Sequence, residues 1–156
     1  MEYYFDDDAY YSENMPINGI SGMWTLQNLE DFDRQSKWYE KKHSNELAAV
    51  RNNLKTFFDG LCIGGKIPNL MAAHRFLHRE QAGVIAIDQK GGPKNLAQTR
   101  LYVYPDETTK TLYLITIGDK NNQPDDVQFS KEFVLSLREA QADGQSQTGT
   151  LDPPDG

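Results

Sequence analysis

Two histidines four residues apart, His74 and His78, have the spacing at which one helix can offer both imidazoles to a metal. Zinc takes three or four protein ligands, and the remaining histidine, His43, belongs to a different periodic segment, so no metal site is expected. The run His74-Arg75-Phe76-Leu77-His78-Arg79 reads instead as a solvated basic patch that, with Lys66, can contact phosphates. Lys90-Gly91-Gly92-Pro93-Lys94 could bring backbone amides and two lysines toward a phosphate, as nests do. It lacks P-loop spacing, and a plain strand-connecting loop is the simpler reading; Gly64-Gly65-Lys66 takes the same discount. Tyr102, Tyr104 and Tyr113 could form a stacking platform for bases, or simply cover a sheet. With three histidines and the single Cys62 there is no basis for a Ser-His-Asp or Cys-His nucleophile, nor for a disulfide within the chain. Cys62 follows an apolar helical pattern that should bury it, and no cofactor is implied.

These residues need elements to hold them. Met23-Trp24-Thr25-Leu26 reads as a short strand. Leu29, Phe32, Ser36 and Tyr39 recur at helical spacing and predict a helix over residues 28–42, with Asn28 as its cap and Asp31 in its first turn. Leu47, Val50, Leu54, Phe57, Phe58 and Leu61 make an apolar stripe over 44–61, with Ser44 as the cap and Gly64-Gly65 as the stop. The join at His43 is short, which folds the two helices into a hairpin. Strands follow over 83–88, 98–104 and 111–117, the last two forming a β-hairpin and Gly118 closing the final strand. Phe129, Phe133, Val134 and Leu137 make a last helical stripe behind the capping residues Asp125 and Asp126. The expected class is α+β: a helical hairpin packed on one face of a small, mainly antiparallel sheet, with a C-terminal helix.

The chain of 156 residues suits one core rather than two. Residues 1–22 form an acidic, aromatic-rich extension, 23–138 the folded domain, and 139–156 a polar acidic tail expected to be disordered. There is no basic start with an apolar run and no stretch near the ~20 apolar residues of a membrane helix, so a cytoplasmic protein with no membrane partner is expected. The net charge of −7 hides an uneven distribution: −7 over residues 1–35, +4 over 36–138 and −4 over 139–156. A mildly basic middle between acidic ends tolerates a polyanion. The opposite charges also suggest that Glu2–Glu13 masks the middle in cis, in which case removing residues 1–20, with their five acids and no base, should raise affinity for polyanions at low salt.

The stretch QTRLYVYPDETTKTLYLITIGDKNNQPDDVQFSKEFVLSL, residues 98–137, resembles the carboxy-terminal half of RelE/ParE-type toxins, and the preceding helix pair fits the same plan. The resemblance covers about residues 23–138 and rests on the Arg100 strand and on Ile115-Thr-Ile-Gly-Asp-Lys120. It implies a RelE-like fold and, in RelE-like members, cleavage of ribosome-bound messenger RNA by a cationic cluster that stabilises the phosphorane. Arg100 then falls at the phosphate-binding arginine and Lys120 at a second basic position as catalytic candidates. Val84 and Ala86, followed by Asp88, occupy strand positions that carry lysines in the active ribonucleases, so Lys90, Lys94, Arg75 and Arg79 are the candidates for contacting phosphate in their place. The proton-handling tyrosine is matched only by Asp126 or, with a shift, Phe129. The implied partners are a small antitoxin-like protein and either RNA on the ribosome or, in the ParE-like mode, a DNA topoisomerase. Loss of the cluster also allows a non-catalytic protein-interaction module. On the resemblance, Arg100 is expected to be partly exposed beside Lys120 rather than engaged in a salt bridge.

Overall fold

The computed structural model describes residues 23–151, with side chains through Gly144; the acidic extension of residues 1–22, and with it the masking idea, lies outside the described residues. Five strands form one mixed sheet in the order β1-β5-β4-β3-β2: β1 Thr25–Asn28, β2 Leu77–Arg79, β3 Ile85–Asp88, β4 Thr99–Asp106 and β5 Thr111–Asp119. The helices are α1 Glu30–Lys42, α2 Ser44–Cys62, α3 Ile67–Ala73 and α4 Gln123–Leu151. The chain is therefore α+β with a C-terminal helix. Among the described residues no helix is long and apolar enough to cross a membrane.

The apolar stripes account for the layers. Phe32 and Tyr39 of α1 and Leu47, Val50, Leu54, Phe57, Phe58 and Leu61 of α2 share one core with Ile85, Ile87, Leu101, Val103, Leu112, Leu114 and Ile117 of the sheet. Residues of the opposite pleat, Val84, Ala86, Tyr102 and Ile115, form a second core with Val134 of α4. Burial on both faces explains why β3 to β5 read as near-continuous apolar runs.

Several local expectations are corrected. Asn28 ends β1 instead of capping α1, whose N-cap is Leu29; β1 pairs in parallel with β5, and Asn28 falls opposite Leu114 in that ladder. His43, not Ser44, precedes α2. Asp125 and Asp126 lie inside the first turn of α4, and Asp119 caps the 3-10 turn Lys120–Asn122 that precedes it, accepting from the backbone N–H groups of Asn121 and Asn122. β5 continues through Gly118. Helix α4 runs on to Leu151, past the boundary drawn at residue 138, and Gln141 still touches the sheet end by donating to Asp106 at 2.8 Å.

α3 and β2 have no counterpart in the expected order. β2 is three residues long, too short for a periodic signal, and it separates His74, which ends α3, from His78 on the strand. The two imidazoles therefore never share a helix face. His74 stacks on Phe76 instead, with ring centroids 5.0 Å apart.

Candidate functional site

Pleat alternation puts His78 of β2, Asp88 of β3 and Arg100 of β4 on the side of the sheet that α4 covers. His78 sits opposite Ala86, and Asp88 sits opposite Arg100. His78 Nε2 lies 2.6 Å from Asp88 Oδ2, with the imidazole 28% exposed and the carboxylate almost fully buried. The other oxygen of Asp88 accepts from the backbone N–H of Lys90 at 2.7 Å. Asn53 of α2 donates to the carbonyls of Asp88 and Lys90 at 2.8 and 2.9 Å. The loop after β3 is thus tied down by its own acid and by a helix asparagine. The Lys90 amide is engaged within the loop and that of Gly92 bonds Gln89 O, so the glycine run is a connecting turn and not an open phosphate nest.

Arg100 is partly exposed, as expected, but it is engaged in a salt bridge, which was not expected. Its Nη1 donates to Glu80 Oε2 at 3.3 Å, and the two side chains are only 17% and 18% exposed. Glu80 follows β2, twenty residues upstream, and nothing in its local spacing marks it as the partner. Val84 and Ala86, in the lysine positions of the resemblance, are fully buried under α4.

The other cations remain on the surface. Lys90 and Lys94 are exposed on the β3–β4 loop and Lys120 on the 3-10 turn after β5. Arg75 precedes β2 at the same end of the sheet, since Asp88 N–H donates to Phe76 O. Arg79 pairs with Ile85 at the opposite end, beside a cavity of about 370 Å³ that it lines with Glu80, Tyr104, Glu107 and Arg138. Four candidates therefore gather near the start of β4 and Arg79 does not join them.

Acids share that sheet end. Ile115 has no partner in the β4–β5 ladder, so β5 carries an extra residue between Leu114 and Thr116. The bulge turns Thr116 and Gly118 toward the start of α4. Thr116 donates its hydroxyl to Asp31 of α1, which also takes Arg34 as an ion-pair partner. A Cβ on Gly118 would lie 2.0 Å from Asp126 Oδ2, so only glycine lets that carboxylate settle on the strand. That oxygen is buried without a hydrogen-bond partner. Burial, then Asp31, Asp119 and Asp125, push the Asp126 carboxyl up to about 6. Burial, with Asp119 and Asp126, likewise raises Tyr39 to about 12, and burial followed by Asp126 holds the Tyr102 phenol far above its ordinary range.

The tyrosine platform is closed. Tyr102 is fully buried, Tyr113 packs against Phe133 at 5.3 Å, and Arg138 lies over the Tyr104 ring at 5.7 Å. Cys62, at the end of α2, is partly rather than fully buried, and burial raises its thiol. Sequence reasoning missed the roles of Glu80, Asp31, Asp119 and Trp38 at the site, because each gains its meaning from a neighbour distant in the chain. The chain matches no family model and no curated protein.

Proposed function

We propose that this chain is a non-catalytic protein-interaction module built on a RelE/ParE-like plan, toxin-derived and without the ribonuclease chemistry. The single observation that carries this reading is the Arg100–Glu80 pair. Stabilising a phosphorane needs cationic donors free to meet developing negative charge. Arg100 is already neutralised, positions 84 and 86 carry apolar side chains in the core, and Asp126 and Asp119 would repel a phosphate brought to the same sheet end. The order of strand, two helices, antiparallel strands and last helix supports the RelE/ParE-like plan. On this reading the partner is a protein: a small antitoxin-like chain or, in the ParE-like mode, a topoisomerase.

A second reading has one observation in its favour. The His78–Asp88 pair, with a partly exposed imidazole on a buried carboxylate, has the geometry of an imidazole oriented by an acid, which could move a proton from a 2′-hydroxyl. Controlled expression followed by mapping of messenger-RNA ends separates the two. The interaction module leaves RNA ends unchanged in the wild type, in His78→Gln and in Arg100→Ala. New ends that vanish in His78→Gln would establish a ribonuclease and end the first reading. In purified protein, Arg100→Ala should lower stability by about 1–3 kcal/mol by leaving Glu80 without its cation, and Arg100→Ala with Glu80→Ala should recover part of it. Additive losses in that cycle would mean that Arg100 is free for a ligand.

A further inference from the structure

A groove of about 400 Å³ opens between α1 and the start of α4. Trp38 and Tyr39 of α1, Ile117 and Gly118 of β5, and Asp119 and Asp126 line it. Trp38 is 47% exposed, unusual for an indole in a chain whose other tryptophan, Trp24, is buried. It is held by edge packing on Tyr39 at 5.1 Å and by His43 at 5.2 Å, so the ring has a fixed pose with surface to spare. The one cation lining the groove, Arg34, is paired with Asp31. Among the described residues neither Asp119 nor Asp126 has a cationic partner, and the buried Asp126 oxygen accepts no hydrogen bond at all.

We infer that this groove receives an arginine side chain presented by a protein partner, the guanidinium stacking on Trp38 and donating to Asp126 and Asp119. The inference rests on the reading of the chain as an interaction module and names the chemistry its partner must carry. A planar cation fits an exposed indole, and its forked donors suit two neighbouring carboxylates, whereas a lysine ammonium offers a point charge with no stacking surface. An anionic ligand is disfavoured by the same two acids. The groups around Asp126 set the pH dependence: Asp31, Arg34 and Tyr39 from α1, Arg100 and Tyr102 from β4, Asp119 from β5 and Asp125 from its own helix. The tyrosines stay neutral across the range in which Asp126 titrates. A guanidinium therefore binds best once Asp126 is ionised, and binding should weaken as the pH falls below about 6.

The test is fluorescence anisotropy of a labelled hexa-arginine peptide on the full chain, at low salt and about pH 7.5, with hexa-lysine as the comparison. Trp38→Ala and Asp126→Asn should each weaken hexa-arginine binding about fivefold or more, while Glu132→Gln, at an exposed position of α4, leaves it unchanged. Moving to about pH 5 should weaken the wild type more than Asp126→Asn. Trp38→Phe, which keeps a ring, should lie between wild type and alanine, and circular dichroism melts establish that each variant is folded. Equal binding by wild type, Trp38→Ala and Asp126→Asn would overturn the proposal, since attraction would then come from net charge alone; so would hexa-lysine matching hexa-arginine with the same sensitivity to Trp38. RNA cleavage by the same protein would sink the interaction-module reading, whereas loss of the arginine selectivity alone would sink only the groove.

Discussion

Above about pH 6, Asp126 is a charge set against Gly118 with Asp31, Asp119 and Asp125 around it. Its folded pKa lies above the unfolded value near 3.8, so folding favours the protonated form. The corresponding stability is fully present below about pH 3.8 and is lost as the pH rises through about 6. Asp126→Asn keeps the shape and removes the charge. It should therefore stabilise the protein by about 1–3 kcal/mol at pH 7.5 and by almost nothing near pH 4. Thermal melts of both proteins across that range check the sign; a constant difference would mean that Asp126 titrates normally. The other charges of the seam are paired, His78 with Asp88 and Arg100 with Glu80, and serve the fold before any ligand, although Arg100 Nε stays buried without a partner.

At the scale of elements, the bulge in β5 decides which residues face which layer. Strict alternation from Leu112 and Leu114 would send Thr116 into the α1–α2 core and Ile117 away from it. The extra residue at Ile115 reverses this, returning Ile117 to the core and aiming Thr116 and Gly118 at α4. The place of Gly118 in the groove and the seat of Asp126 both follow from that one residue. Gly118→Ala tests the arrangement, because its methyl would force the Asp126 carboxylate off the strand. Urea denaturation should show a loss of about 1–3 kcal/mol, and the loss should shrink when Asp126 is also alanine. If both backgrounds suffer equally, the clash lies elsewhere and the contact between Gly118 and Asp126 is not what positions the helix.

For the molecule as a whole, α4 is the element on which the second core depends. Val84, Ala86, Tyr102 and Ile115 are covered from that side by Val134 and its neighbours, while the apolar stripes of α1 and α2 bury the opposite pleat. A chain ended after Asn122 would uncover a sheet face carrying a buried Tyr102 and three aliphatic side chains. It should aggregate or bind a hydrophobic dye at concentrations where the full chain does neither, as gel filtration and dye fluorescence would reveal. A soluble, cooperatively melting truncation would show that the first core suffices. The charge pattern belongs to this scale too, since acidic segments flank a domain whose exposed cations include Lys90, Lys94, Arg75 and Lys120.

The sequence by itself determined the α+β class, the two helices of the 30–62 region, the β4–β5 hairpin and the last helix, because each has a long apolar period that only one kind of element can bury. Leu47 to Leu61 could hardly be anything but the buried stripe of α2. It also identified Lys90-Gly91-Gly92-Pro93-Lys94 as a turn, since that chemistry is local. Tertiary structure decided β2, the parallel pairing of β1 with β5, and the bulge, none of which leaves a periodic trace over three or four residues. It decided the site as well. Arg100 meets Glu80 across the sheet, and Asp31, Asp119 and Asp126 converge from three elements. A charge shows in the sequence where it stands, but whether it is free, neutralised or crowded depends on neighbours that only folding brings within a few ångströms.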